Sequence, residues 1–323
     1  MNFRKLSAAM IAAVAMISCQ KNAEVSGVNA EEKINLTVKL PSHQTKLDGM
    51  ATENAVTNLQ VFVFDFNGFL EAYASGDAQS LTLSCSTGSK DVIAIVNASP
   101  IQDVKTLTDL ESRKSDLADN SIGSFVMEGQ ASDSFTASST VEIPVYRLAS
   151  RVTLSQVSVE FEFPQHNSHT FELVGAYLVN VAGEKTYFNS VRPEKWYNKM
   201  MKEEGSPSVT SVSLNNVEVS ESVPYTEAQH MYCYPNPVTS DANGGTWSAR
   251  KTRLVVETKL GGKTYYYPVT FKDGMEANTV YDIKLKITRP GSSSPDQPIE
   301  GAAGMFTVFV QPWEGGESVE EII

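Results

Sequence analysis

The chain has 323 residues, of which 41% are hydrophobic and 20% charged, enough apolar material for a sizeable core and about twice the usual length of one domain. Twenty-six Lys and Arg stand against 38 Asp and Glu, for a formal charge of -12 with no basic stripe, which argues against a nucleic-acid partner. Three cysteines and four histidines, without Cys-x-x-Cys or His-x-Glu spacing, offer little with which to build a zinc or haem site, so no metal or cofactor is expected.

Arg4 and Lys5 precede an apolar run from Leu6 to Ile17, too short to span a bilayer and patterned as a secretory signal over residues 1–18. The run ends Ala15-Met16-Ile17-Ser18-Cys19, which resembles the lipobox of bacterial lipoproteins and makes Cys19 the lipidated first residue of the mature chain. Removing residues 1–18 takes the formal charge from -12 to -14, so membrane attachment rests on acyl chains such as palmitate rather than on a basic patch. Residues 20–30 are polar and small, as a tether requires.

Ile34-Asn35-Leu36-Thr37-Val38-Lys39-Leu40 alternates apolar and polar residues, the period of a strand with one buried face. Residues 41–53 break that pattern with Pro, Ser, Asp and Gly and predict an accessible loop that contains Lys46. Asn67-Gly68, between apolar runs at 59–66 and 69–73, predicts a hairpin with a type I′ turn. Asp91 to Asn97 predicts a strand buried on both faces. Leu107, Leu110 and Leu117 share a helical face over 106–120, with Thr108 and Glu111 as a capping box. Residues 121–140 are rich in Ser, Gly and Ala and read as loops and edge strands.

A second domain is expected to begin near Val145, with strands at 152–163, 171–181, 208–214, 252–260, 264–271, 282–287 and 305–310. No repeat of 20 to 50 residues is visible. Many short strands, turns and one short helix indicate an all-β chain of two antiparallel β-sandwiches in tandem. His166 and His169 read as part of a polar hairpin loop rather than as metal ligands. Cys85 and Cys233 fall in different expected domains and read as buried thiols. Trp196 and Tyr197 suit either stacking on a sugar or packing an insertion onto the sandwich, and burial statistics favour packing. Neither Gly-x-Ser-x-Gly nor a Gly-rich phosphate loop is present, and no pair of carboxylates is bracketed into an acid/base site, so no enzyme is expected.

Four groups of segments resemble the fimbrillin family, the type V pilins that form the fimbriae of Bacteroidetes. They are Ile34 to Leu40 followed by Asn58 to Gly68; Arg147-Leu-Ala-Ser-Arg-Val-Thr-Leu154; Met231-Tyr-Cys-Tyr-Pro-Asn236 followed by Thr252 to Glu257 and Tyr265 to Pro268; and Asn278 to Leu285 followed by Val308-Phe-Val-Gln-Pro-Trp313. The resemblance implies transthyretin-like, Greek-key sandwiches. It divides the chain into a signal peptide (1–18), a tether with a removable first strand (19–46), an N-terminal domain (47–145) and a C-terminal domain that carries the donor strand (146–323). It also implies a lipidated outer-membrane precursor, cut by a trypsin-like protease between Lys46 and Leu47, that loses the strand bearing Ile34, Leu36, Val38 and Leu40. A strand of another subunit would then fill the groove, building a cell-surface fimbrium whose partners are other copies of the chain and related fimbrial subunits.

Two points stay open at this stage. Family members are usually cut after arginine, and this chain has none between Arg4 and Arg113; either lysine is accepted or the first strand stays and the subunit is an anchor, cap or tip. The donor strand uses Phe306, Val308 and Val310 through Trp313, or lies in the tail with Val319 and Ile322, or residues 305–313 are the domain's own last strand. The alternative from another class is a monomeric surface lipoprotein that binds a glycan or host ligand.

Overall fold

A computed structural model describes residues 32–41, 51–200, 209–238, 240, 248–297, 299, 304–313 and 319–322. Up to residue 147, these form β1 (Lys33–Lys39), β2 (Leu59–Asp65), β3 (Leu70–Gly76), β4 (Ser80–Ser86), β5 (Gly88–Val96), α1 (Leu107–Glu111), β6 (Lys114–Asp116), β7 (Met127–Phe135), β8 (Ser139–Glu142) and β9 (Tyr146–Arg147). Two sheets face each other, one ordered β4-β1-β8 and one β3-β2-β5-β7-β9. Between them lie Ile34, Leu36, Val38 and Leu40, packed with Leu59, Val61, Val63, Leu83, Cys85 and Val92. The period-2 pattern of β1 is the direct cause, because alternate side chains of a strand share one face.

β2 and β5 are buried on both faces. Their second face presents Phe62, Phe64, Ile93 and Ile95 to Val104, Leu110, Leu117 and Phe125 from the segment that crosses the sheet. That crossing segment is shorter in helix than expected. Only Leu107–Glu111 is α-helical, and its capping box joins Thr106 to Asp109 rather than Thr108 to Glu111. The chain then extends as β6, because Lys114 to Asp116 pair with a strand from the second half, and a tertiary pairing overrides a weak local helix signal. The hairpin at 65–69 is present but is not type I′. Gly68 alone has a positive φ (78°), its N–H bonds Asp65 O at 2.8 Å and the ladder shifts register at Val63/Phe64, the pattern of a type I turn with a glycine bulge. Residues 121–140 also contain more strand than expected: β7 runs nine residues and pairs along the whole of β5.

The remainder contains β10 (Ser150–Val159), β11 (Phe171–Val179), β12 (Val181–Ala182), β13 (Glu184–Thr186), β14 (Trp196–Tyr197), β15 (Ser211–Glu218), β16 (Gln229–Cys233), β17 (Arg253–Leu260), β18 (Lys263–Thr270), β19 (Thr279–Ile287), β20 (Gly304–Pro312) and β21 (Val319–Ile322). One sheet is ordered β16-β10-β19-β20-β21 and the other β15-β11-β17-β18. Gly261 and Gly262, at φ 58° and 81°, make the tight turn between β17 and β18 that glycine permits. β10 ends at Val159, four residues before the expected limit, and Pro164 opens a three-ten turn over Pro164–Ser168. The fold is all-β, as expected, but not wholly antiparallel: β1 pairs parallel with β8 and β10 parallel with β19.

Cys85 and Cys233 are free and buried. Burial pushes the Cys233 thiol up to about 12 and raises that of Cys85, so both are protonated and shielded near neutral pH. Thiol titration of the chain after removal of Cys19 should find neither group reactive in the native state and both reactive in guanidinium. Native labelling of either would contradict this packing.

Candidate functional site

β1 is the central strand of its sheet. On one side Lys33 to Lys39 pair antiparallel with Ser86 to Ser80, and on the other Leu36 to Lys39 pair parallel with Ser139 to Glu142. Leu40 N–H continues the ladder to Gln79 O at 2.9 Å, and Ile143 N–H reaches Lys39 O at 3.0 Å. Leu36 and Val38 are fully buried, with Ile34 at 5% and Leu40 at 3% exposure. The opposite face is polar: Thr37 and Thr82 share a hydroxyl hydrogen bond of 2.9 Å, and Lys39 pairs with Glu142 at 3.3 Å in solvent, an exposed pair worth little. Four covered aliphatic side chains contribute roughly 1.5–3 kcal/mol each as an upper estimate. Taking β1 away would leave both β4 and β8 with unpaired backbone groups, an apolar trough between them and a site suited to an added strand.

Where the chain re-enters after residue 50, it is pinned. Glu53 lies in the three-ten turn Ala51–Asn54 and is 3% exposed. Its Oε2 accepts from Arg151 at 2.8 Å and from Trp313 Nε1 at 2.9 Å, its Oε1 from the Tyr232 hydroxyl at 2.7 Å, and its backbone carbonyl from Arg147 Nε at 3.2 Å. The Trp313 ring stacks on Tyr232 at 5.9 Å, meets Phe125 edge-on at 5.5 Å and lies 4.6 Å below the Arg147 guanidinium. Burial, then the bond to Glu53, holds the Tyr232 phenol above its ordinary range, so it stays a donor. A buried carboxylate is tolerable only with such partners. Asn278, at φ 54°, accepts from Arg147 N–H at 3.2 Å, donates its own N–H to Ala149 O and accepts from Trp313 N–H, both at 2.9 Å. Asn97, at φ 59°, accepts from Thr57 N–H at 2.7 Å and donates to Ala55 O at 2.7 Å and Phe125 O at 2.9 Å. Both asparagines hold left-handed backbone that their short amides support.

Of the residues singled out in sequence, the structure brings Ile34, Leu36, Val38 and Leu40 together in one trough, and draws Arg147, Arg151 and Trp313 into one buried cluster. β20 lies within its own sheet between β19 and β21, with Phe306 and Val308 buried and Val310 half-buried. The Val319 and Ile322 backbones form the edge strand β21, paired with Val310 and Thr307. Cys19, Lys46 and Leu47 lie outside the described residues, as do the side chains of Val319 and Ile322. Trp196 is buried, its indole N–H on Pro193 O at 3.0 Å, and Tyr197 donates to Asp116 at 3.2 Å; they pack the insertion. His166 and His169 sit on the three-ten turn and its cap, and among the described residues no three His, Cys, Asp or Glu gather as metal ligands.

Glu53, Asn97 and Asn278 were not legible as site residues. The two arginines spaced four apart at the start of a buried strand were the available signal that a buried acid must meet them.

Two substitutions test these contacts by urea unfolding of the uncut chain. Leu36→Ala should lower stability by about 2–5 kcal/mol; an unchanged midpoint would mean that β1 is not in the core. Glu53→Ala removes the carboxylate from a buried arginine and should cost about 3–5 kcal/mol, with a changed Trp313 emission; a loss below about 1 kcal/mol would place the cluster in solvent.

The described fold matches solved structures. A fimbrilin from Porphyromonas gingivalis W83 is 16% identical, covers 87% of this chain and 97% of its own, and superposes with a TM-score of 0.66. A protein assigned to cell adhesion from Bacteroides eggerthii DSM 20697 is 19% identical, with coverage of 87% and 96% and a TM-score of 0.65. The tip fimbrial protein of Porphyromonas gingivalis, truncated at its C-terminus, is 14% identical, with coverage of 87% and 100% and a TM-score of 0.58. At such identities the likeness is one of fold. The family model of the major fimbrial subunit protein (FimA) matches residues 33–190, from the first residue of β1 through the junction into the second sandwich. Over that span, just under half of the chain, the sequence is similar to the major fimbrial subunit proteins.

Proposed function

We propose that the chain is a non-enzymatic structural subunit of cell-surface fimbriae. It is exported as an outer-membrane lipoprotein through Cys19, cut between Lys46 and Leu47, and polymerised by strand exchange. The observation that carries this reading is the placement of β1: a strand hydrogen-bonded on both sides, with four apolar side chains in the core, yet joined to the rest by a segment that contains a protease-type basic residue. An edge strand could leave and harm little. A central strand leaves behind two unpaired edges and an apolar trough, which drives uptake of a replacement. The new contact is heterologous, so repetition builds a filament rather than a closed ring.

Glu53 supports the same reading, because it anchors the chain just beyond the proposed cut and lets residues 47 onward keep their place when the first strand goes. The donor comes from the C-terminal segment that carries Phe306, Val308, Val310, Trp313, Val319 and Ile322. Within it, Phe306, Val308 and Trp313 are committed to their own core and to Glu53, whereas β21 is a four-residue edge strand. The exchange therefore starts with β21. Other copies of this chain and related fimbrial subunits are the partners, together with a processing protease that accepts lysine.

Intact mass and N-terminal sequencing of protein sheared from the cell surface test the proposal. The expected result is an unlipidated chain starting at Leu47, and Lys46→Gln should stop fibre growth while leaving a folded, lipidated chain. Fibres built from chains that begin at acylated Cys19 would overturn strand exchange, and a lipidated monomer would instead make the protein an anchor, a tip or a ligand-binding surface lipoprotein.

A further inference from the structure

The strand registers place an exposed aromatic pair and a cleft of mixed lining at the ends of the sandwiches farthest from the Glu53 junction. β2 leaves the junction at Leu59 and, about 20 Å later at ~3.3 Å per residue, reaches the turn that carries Phe66 and Phe69. These rings are 80% and 58% exposed. The turn does not need them: its geometry comes from Asp65, whose carboxylate accepts from Asn67 N–H and Phe69 N–H, both at 2.9 Å, and from Gly68. Polar residues ordinarily occupy such a turn.

β10 leaves the junction at Ser150 and reaches Val159 about 30 Å later. There a cleft of about 580 Å³ opens, lined by the apolar Val159, Phe161, Phe171 and Val219 and by five polar residues, among them His169, Glu221 and Ser222. Phe161 stands edge-on to Phe171 at 5.9 Å, so the cleft already has an aromatic wall onto which further rings can pack.

The chain ends specify the occupant. β21 runs from Val319, opposite Val310, to Ile322, opposite Thr307, and β20 in turn begins at Gly304 opposite Ile287, which pairs with Val159. The C-terminal strand therefore points toward the end with the cleft. β1 starts at Lys33 opposite Ser86, next to β5 residue Lys90, which pairs with Asp65 at the Phe66 turn. The trough therefore opens beside the Phe66–Phe69 tip.

We infer that the Phe66–Phe69 tip of one copy seats in the Val159–Phe171–Val219 cleft of the preceding copy, as a second contact between successive subunits. This rests on the strand-exchange reading, since a tail leaving the cleft end of one copy and entering the trough at the tip end of the next brings these surfaces together. The contact aligns the two copies before the strand seats and stiffens the joint afterwards.

The test uses the full chain, trimmed at Lys46 so that Cys19 is lost, with Phe69→Cys and Ser222→Cys introduced together. Cys85 packs against β1 and is uncovered when that strand leaves, so it is changed to Ala throughout, while Cys233 is buried in the other sandwich and does not compete. Fibres grown under mild oxidation should give a disulfide-linked ladder that neither single substitution gives. In parallel, Phe66→Ser with Phe69→Thr should fold with the parent melting temperature and assemble at least tenfold more slowly. Parent-like fibres without a ladder, or a tip variant that assembles at the parent rate, would overturn the contact and leave strand exchange standing. A trimmed parent that forms no fibres at all would overturn both.

Discussion

The structure depends on the position of β1 between β4 and β8. A strand at a sheet edge shares half of its backbone groups with solvent, whereas β1 commits both sides of its ladder and one whole side-chain face to the protein. The first sandwich is thus assembled around a segment that has few local ties, since its partners lie some 45 and 103 residues away. Such long-range closure is the costly part of β topology. Among the described residues, what holds β1 is its pairing with β4 and β8 and its apolar face in the sandwich.

The junction has the opposite character. Glu53, Arg147, Arg151, Tyr232, Asn278 and Trp313 come from five separate stretches of chain and meet in a buried, charged and aromatic cluster. A buried ion pair adds little net stability compared with apolar packing, but it discriminates strongly against misplacement, because any shift strands a charge. Here it fixes the three-ten turn Ala51–Asn54 and the place where the last long strand ends. Beside it, β13 pairs with β6, and Lys185 and Phe188 N–H bind Glu128, whose carboxyl is raised by burial despite these partners. The two sandwiches are joined by polar contacts of defined geometry as well as by a continuous apolar cluster.

Each sandwich pairs its opening strand in parallel with a later one, β1 with β8 and β10 with β19. No repeat in the residues announces this, because side-chain burial on a pleated surface constrains only alternation and size. The likeness is one of backbone pairing. Ile34 and Leu36 in one half serve the role that Val152 and Leu154 serve in the other, with different neighbours and different consequences. β10 begins at the buried junction, whereas β1 follows the expected tether.

Local chemistry was enough to establish the all-β character, most strand positions, the hairpin glycines and the buried face of β1, since alternation and turn propensity act over a few residues. Arg147, Arg151 and Trp313 stood out only as parts of the segments that carry the family resemblance, with no indication of what they meet. Local chemistry misjudged the 106–120 segment, where β6 pairs with β13, and the small-residue strand β7, where pairing with β5 overrides weak propensity. What only the tertiary structure decided is which strands are neighbours: that β1 is central rather than at an edge, that Glu53 receives donors from the far end of the chain, and that the exposed tip and the cleft lie at the far ends of the two sandwiches. Those facts depend on contacts separated by as many as 260 residues, and no periodicity within a window of ten can encode them.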